Sequence, residues 1–240
     1  MQAPRIGAYG GTFDPIHCGH VQVASAVLDG FGLDEVIIIP AANPPHKDPR
    51  TLSSSHHRFA MAALATLGIP GVRVSAVEID SPANPYTFET VARLRTRYGP
   101  QAELFFIIGS DSFEEMHTWR RPDLILSNCN LIVAARPGYE MSNPGLGRLL
   151  DTALESGPRG GGCPTIIDLT GEKSRRPEPQ EARQTGLIFL TDYIRVDAAA
   201  TEVRLRVSRS LPIEGMVPEG VADYIRKYEL YQTGEPAEIQ

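Results

Sequence analysis

Two glycines and two histidines stand close together near the beginning of the chain. Gly10 and Gly11 end an apolar run, and His17 and His20 lie where a helical pattern begins. Adjacent glycines let the backbone turn sharply and leave amide N–H groups open to a phosphate. A helix N-terminus adds partial positive charge, and two histidines three residues apart on it can donate to one anion. The spacing therefore predicts a site for a phosphorylated ligand.

A lysine and an aspartate follow later apolar runs. Lys47 comes directly behind Pro44, Pro45 and His46, and prolines stiffen a loop that presents a charge. Two interpretations of His46 stay open, a second phosphate donor or an ordinary loop residue. Asp111 follows another apolar run, at a position where an aspartate can cap a helix.

Short apolar runs alternate with helical patterns along the first half of the chain. This alternation, with nearly all-apolar strands, predicts an α/β fold: a doubly wound, Rossmann-like parallel sheet that binds ligands at the carboxyl ends of its strands. Strands are expected at residues 6–9, 36–39, 72–77, 104–108, 131–134 and 187–190. Helices are expected around residues 21–28, 59–67 and 88–94, and two short closing helices around 201–209 and 218–228.

One stretch breaks this pattern. An insertion is expected at about residues 140–186; within it, residues 157–186 are rich in glycine and proline, and their only apolar run is the pair Ile166 and Ile167. So short a run cannot enclose a core of its own. We therefore expect a single domain over residues 1–240 that carries a mobile insertion.

Composition and charge exclude several classes of function. Lys and Arg total 23 and Asp and Glu 29, a net charge of -6 that argues against a general nucleic-acid binder. A membrane span requires roughly 20 apolar residues, and none of the apolar runs approaches that length. The first residues do not resemble a secretory signal, so we expect a cytoplasmic protein. Cys18, Cys129 and Cys163 are too few and unevenly spaced to indicate a disulfide framework or a zinc site.

The segment from Gly10 to His20 resembles a known family. It reads GGTFDPIHCGH, which matches the HxGH signature of the nucleotidylyltransferase superfamily and is similar to the form in bacterial nicotinate-nucleotide adenylyltransferases. Similar segments in family order are residues 43–47 (NPPHK), 55–58 (SHHR) with Met61, 85–90 (PYTFET), 108–111 (IGSD), Trp119, 136–138 (RPG) and 217–231. The resemblance spans nearly the whole chain apart from the insertion.

The resemblance implies adenylyl transfer from ATP to nicotinate mononucleotide. In that reaction the mononucleotide phosphate attacks the α-phosphorus of ATP in line, and pyrophosphate leaves without a covalent enzyme intermediate. The protein therefore supplies hydrogen-bond donors and cations rather than a nucleophile. Mg²⁺ is expected to arrive with ATP rather than in a protein cage. Neither nucleic acid nor a membrane is an expected partner, and a homo-oligomer stays open.

The resemblance also assigns roles to individual residues. The implied catalytic residues are His17, His20, Lys47 and Arg204. The implied ATP-binding residues are Gly10, Gly11, Thr12, Phe13, Gly109, Asp111 and Thr201, with Asp111 accepting hydrogen bonds from ribose hydroxyls. The implied acceptor-binding residues are His46, Tyr86, Thr87, Trp119 and Arg136. An aromatic face suits a flat pyridine ring, and N–H or hydroxyl groups suit its carboxylate.

One late motif departs from the family pattern ISSTxIR. Residues 198–204 read AAATEVR, so Ala199 and Ala200 replace both serines, whereas Thr201 and Arg204 match. A hydrogen bond to a charged group contributes about 1.5 to 3 kcal/mol, so two missing hydroxyls weaken ATP binding. Backbone N–H groups and Arg204 still provide donors. We predict an active enzyme with a raised KM for ATP.

Two alternatives stay open from the sequence. One is a related nucleotidylyltransferase with another acceptor, such as nicotinamide mononucleotide or phosphopantetheine, or a cytidylyltransferase. Tyr86, Thr87 and Trp119 favour a pyridine nucleotide over phosphopantetheine or a cytidylyl acceptor. Between nicotinate and nicotinamide mononucleotide the sequence is less decisive, although the bacterial-type motifs favour nicotinate. The other is a degenerate, non-catalytic nucleotide binder, suggested by Ala199 and Ala200. A dehydrogenase fits poorly, because the loop after the first strand lacks a GxGxxG fingerprint.

Overall fold

A computed structural model describes residues 3–44, 49–83, 85–135, 165–170, 186–192 and 199–232. Its strands are β1 (Arg5–Gly11), β2 (Glu35–Pro40), β3 (Val72–Val74), β4 (Glu103–Gly109), β5 (Asn130–Ala134), β6 (Thr165–Asp168) and β7 (Leu187–Thr191). They form one sheet in the order β3-β2-β1-β4-β5-β7-β6, and each pair of neighbours is parallel. The order reverses between β1 and β4, which is where open α/β sheets bind ligands.

Helices connect most of these strands. They are α1 (Cys18–Gly30), α2 (Ser55–Thr66), α3 (Thr87–Tyr98), α4 (Ser110–Glu114), α5 (Pro122–Asn128), α6 (Ala200–Ser208) and α7 (Glu219–Lys227). Single turns of 3-10 helix lie at Pro49–Thr51 and Met116–Thr118. Local sequence sets several helix ends: the Ser54 hydroxyl accepts the His57 N–H at 3.2 Å to begin α2, and Gly99, with φ at +82°, ends α3.

Separate apolar layers cover the two faces of the sheet. In β4, Phe105 and Ile107 belong to the layer that includes buried residues of α1, α2, α6 and α7. Phe106 and Ile108 belong to the layer that includes buried residues of α3, α4 and α5. Because both faces of a strand are buried, its sequence is continuously apolar rather than alternating. This confirms the predicted doubly wound parallel fold.

Several predicted boundaries were wrong. β3 ends at Val74 rather than at residue 77. Pro218 is the N-cap of α7 and not its first helical residue. Leu67 fits the helical spacing of α2 but follows the helix and is 83% exposed. The short helices α4 and α5 were not predicted, because five and seven residues are too few to show a helical period.

One strand lies inside the segment predicted as a mobile insertion. Ile166 and Ile167 of β6 pair with β7 at the edge of the sheet. Residues 136–164, which include Cys163, and residues 171–185 lie outside the described residues, so the insertion and the single-domain extent stay predictions. In the part of the chain that the structure describes, no helix combines the length and apolar content that crossing a membrane requires.

Candidate active site

A cleft of about 450 Å³ opens at the carboxyl ends of β1 and β4, at the reversal of strand order. Five segments that are distant in sequence line it: the end of β1 with the turn to α1 and the start of that helix, residues 51–52, the start of α4, the end of β5, and the start of α6. Among the lining residues are His17, His20, Gly10, Gly11, Thr12, Phe13, Gly109, Asp111, Thr201 and Arg204. The structure thus brings together most of the residues assigned to catalysis and to ATP.

The two glycines have a different role from the expected one. They are the last residues of β1 rather than the turn itself. A Cβ on Gly10 would lie 2.9 Å from the Phe106 ring, and a Cβ on Gly11 would lie 2.8 Å from the Phe13 ring. The left-handed residue of the following turn is Phe13, with φ at +52°. The glycines therefore admit two aromatic rings, and the chain turns after them.

The two histidines form one unit at the N-terminus of α1. His17 is the N-cap residue and is 7% exposed, and the rings of His17 and His20 stack with centroids 3.7 Å apart. The backbone N–H of His17 donates to Nδ1 of His20 at 3.2 Å. Because Nδ1 accepts this bond, the neutral His20 ring carries its proton on Nε2. The Phe13 ring packs edge-on against His20, with centroids 5.0 Å apart.

The start of α6 supplies a cation and a second helix N-terminus. Ala199 is the N-cap of this helix, and Ala199, Ala200 and Thr201 line the cleft. Nη1 of Arg204 donates to the main-chain carbonyl of Asp14 at 2.6 Å, and Nη2 donates to the Thr201 hydroxyl at 3.4 Å. Arg204 thereby joins the late motif to the turn after β1.

Gly109 and Asp111 reach the cleft from β4. Gly109 is the N-cap of α4, with an extended backbone, and Asp111 lies exposed in the first turn of that helix. Asp111 is therefore not the N-cap residue of α4. Its exposure at the lip of the cleft is compatible with the ribose role that the resemblance implies.

Of the residues assigned to the acceptor, the three that the structure describes, Tyr86, Thr87 and Trp119, do not line this cleft. Tyr86 is the N-cap of α3 and is 45% exposed, and the guanidinium carbon of Arg120 lies 4.7 Å from the centre of its ring. Thr87 is the first residue of α3. Trp119 packs edge-on against Phe106, with centroids 6.5 Å apart. Phe106 also faces Gly10, so one ring separates Trp119 from the β1 end of the cleft.

Three of the assigned residues cannot be placed. His46, Lys47 and Arg136 lie outside the described residues. Across the ranges that the structure does describe, no group of three or more His, Cys, Asp or Glu side chains is arranged to hold a metal ion.

Sequence reasoning missed a buried polar network beneath the turn. The Asp14 side chain is 2% exposed, and its carboxylate accepts hydrogen bonds from the Tyr231 hydroxyl at 2.7 Å and from the Ser53 N–H at 3.4 Å. Burial, with the Asp14 charge, raises the pKa of Tyr231 well above its usual value. Tyr231 therefore remains a protonated donor at neutral pH. The two residues are 217 positions apart, and no local pattern reports such a pair.

The sequence of this chain is similar to those of known nucleotidyl-transferring proteins. Residues 8–206 match the model of the cytidylyltransferase-like family. Proteins named "Probable nicotinate-nucleotide adenylyltransferase" from Thermoanaerobacter sp. (strain X514) and Moorella thermoacetica are each 37% identical to this chain. The alignments cover 96% and 95% of this chain, and 96% and 92% of the relatives.

Solved structures share the architecture. Two structures of Plasmodium falciparum nicotinic acid mononucleotide adenylyltransferase, complexed with APC and with NaAD, give TM-scores of 0.64 and 0.65 at 18% and 17% identity. Each comparison covers 95% of this chain and 97% of the other. At this identity the likeness shows the fold.

Proposed function

This chain belongs to the cytidylyltransferase-like family, and we propose that it transfers the adenylyl group of ATP to nicotinate mononucleotide. The products are nicotinate adenine dinucleotide and pyrophosphate, which places the reaction in NAD biosynthesis. The observation that carries the proposal is the convergence of two stacked imidazoles, Arg204 and two helix N-termini on one cleft at the sheet reversal. Relatives that carry the name of this activity align with nearly the whole chain.

The arrangement suits displacement at phosphorus. In adenylyl transfer the barrier reflects alignment of the two nucleotides and repulsion between their charges. His17, His20 and the N-terminal amides of α1 would stabilise charge on the transferred phosphoryl group and on pyrophosphate, with Arg204 as a further cation. Lys47 is proposed as a further cation on the strength of the resemblance. None of these groups has to act as a nucleophile.

A divalent cation completes the charge balance. Enzymes of this class that use ATP generally employ one, and we propose Mg²⁺ bound mainly through ATP phosphates and water. Mg²⁺ keeps several of its waters and is usually bound through substrate phosphates rather than by a cage made only of protein ligands. When bound, Mg²⁺ would neutralise charge on the phosphates.

The acceptor site is proposed beside the cleft. Tyr86, Thr87 and Trp119, together with His46 and Arg136, would hold nicotinate mononucleotide, and contact through Phe106 connects this region to Gly10. We expect the enzyme to act in the cytoplasm, as one domain.

Product analysis tests the proposal. Purified protein with ATP, Mg²⁺ and nicotinate mononucleotide should form nicotinate adenine dinucleotide and an equal amount of pyrophosphate. The kcat/KM value should be higher for nicotinate than for nicotinamide mononucleotide. A preference for nicotinamide mononucleotide or phosphopantetheine would reassign the acceptor. No pyrophosphate with any acceptor would identify a non-catalytic binder, the alternative suggested by Ala199 and Ala200.

The histidines are tested within the same assay. His20→Ala should lower kcat by about 10² to 10³, as removal of a transition-state donor typically does. His56→Ala is the matched control, because His56 is exposed on α2 and does not line the cleft. This control should retain wild-type kcat. Near-wild-type turnover by a folded His20→Ala variant would refute the assigned role.

A further inference from the structure

Arg58 is a large, fully buried side chain on α2, 1% exposed. Its guanidinium donates three hydrogen bonds: Nε to the Ser53 carbonyl at 3.1 Å, Nη1 to the Thr12 carbonyl at 2.8 Å, and Nη2 to the Ala42 carbonyl at 3.0 Å. All three acceptors are main-chain oxygens. A buried cation whose hydrogen bonds all go to main-chain carbonyls holds the backbone in place at those carbonyls.

The three carbonyls belong to two connections: Thr12 to the one between β1 and α1, and Ala42 and Ser53 to the one between β2 and α2. Thr12 lies in the turn after β1 that leads to His17 and lines the cleft. Ala42 lies in the turn after β2, four and five positions before His46 and Lys47 in the sequence. Ser53 follows Thr51 and Leu52, which also line the cleft. One rigid guanidinium thus joins the segments after both strands.

Ala42 is held from its other side as well. Its N–H donates to the carboxylate of Glu78, which also accepts from the Thr90 hydroxyl at 2.7 Å. Burial lowers the pKa of Arg58, and the charges of Asp14 and Glu78 oppose that shift. Both main-chain polar groups of Ala42 are therefore hydrogen-bonded, its N–H to Glu78 and its carbonyl to Arg58. Arg58 also bonds the Thr12 carbonyl, so it connects the turn after β2 to the turn after β1.

We propose that Arg58 is a positioning residue for adenylyl transfer, which sets the separation between the turn that leads from β1 to His17 and His20 and the turn after β2. The inference rests on the proposed function. A planar guanidinium donates in several fixed directions, whereas an ammonium is a point donor on a flexible stem and cannot span the three carbonyls in the same geometry. Misplacement of reacting groups by about 1 Å can cost about 10²-fold in rate. The expected defect therefore lies in kcat.

The matched control is Arg95 on α3. It also donates to main-chain carbonyls, those of Gly99, Ala102 and Asn128, but these belong to the opposite layer and do not line the cleft. Arg58→Lys should lower kcat by about 10- to 100-fold, with the KM for ATP changed by less than about threefold. Arg95→Lys should keep kcat within about threefold of wild type. Equal kcat values for the two variants would overturn the proposal.

Hydrogen exchange supplies a readout that does not depend on turnover. In Arg58→Lys, exchange should accelerate in peptides covering residues 10–17 and 41–44, and in Arg95→Lys it should not. Unchanged exchange in both peptides would overturn the proposal, as would failure of Arg58→Lys to fold where Arg95→Lys folds. If the wild type forms no dinucleotide, the proposed function fails, whereas the exchange result still decides whether Arg58 holds the two turns.

Discussion

Serine substitutions at Ala199 and Ala200 would restore the two hydroxyls that are missing at the start of α6. The structure predicts that one substitution changes stability and the other changes ATP binding. Ala199 is the N-cap residue, with an extended backbone, and Ala200 is the first helical residue; both line the cleft. Alanine has no side-chain acceptor for the free N–H groups of the first turn. A serine at residue 199 can cap the helix, whereas a serine at residue 200 cannot and can only donate to a ligand.

The two substitutions should therefore act on different quantities. Ala199→Ser gains an N-cap, worth about 1 kcal/mol of unfolding free energy, or a rise in Tm of about 2 to 4 °C at this chain length. Ala200→Ser gains a hydrogen bond to a charged phosphate. At the low end for such bonds, about 1.5 kcal/mol, the KM for ATP falls about tenfold.

Thermal melts without nucleotide and ATP titrations at saturating acceptor measure both effects. The Ala199→Ser melt should shift upward and the Ala200→Ser melt should not. The KM for the acceptor serves as the internal control and should stay within about twofold in every variant. If the double variant retains the wild-type KM for ATP, the explanation of the raised KM by missing hydroxyls is wrong.

Three further predictions concern the turn between β1 and α1 and the residues that flank or contact it. Tyr231→Phe removes the donor to the buried Asp14 carboxylate and should lower the unfolding free energy by about 1 to 3 kcal/mol. The pKa of Tyr231 is raised in the folded state, so its contribution to the unfolding free energy is complete below the unfolded pKa of about 10 and is lost as the pH rises further. Urea unfolding should therefore show a steeper loss of stability at alkaline pH in the wild type than in Tyr231→Phe. Equal slopes would contradict this. Cys18→Ser should keep kcat within about threefold, since burial raises the pKa of this thiol and disfavours the thiolate; a larger loss in steady-state assays would argue for a chemical role. Gly11→Ala places a Cβ 2.8 Å from the Phe13 ring that packs on His20, so kcat should fall about tenfold or more, and wild-type kinetics would show that the ring moves without consequence.

Local signals were sufficient for much of the fold. Continuous apolar runs located β1, β2, β4, β5 and β7, because strands buried on both faces have few polar residues. β6 was not predicted because its apolar pair lies in a Gly/Pro-rich stretch, and the segment forms a strand through its pairing with β7. A short edge strand depends on tertiary pairing more than on its own sequence.

The candidate site divides in the same way. His17, His20 and Arg204 could be predicted because each falls within a contiguous motif, and the sheet topology then brings the motifs together. The role of Gly10 in admitting the Phe106 ring could not be predicted, since the two residues come together only in the folded sheet. The contact of Tyr231 with Asp14 likewise depends on where the last segment of the chain returns. Long-range polar contacts leave no periodic trace in the sequence.

Binding of a non-hydrolysable α,β-methylene analogue of ATP tests the central claim most directly, because it isolates polyphosphate recognition from turnover. Calorimetric titration should give saturable heat with the wild-type protein and a Kd at least about tenfold weaker with His20→Ala, as expected for loss of a hydrogen bond to a charged group. Equal affinity in the two proteins, or no heat with the wild type at millimolar analogue, would contradict the assignment of the phosphate site to the imidazoles that follow β1.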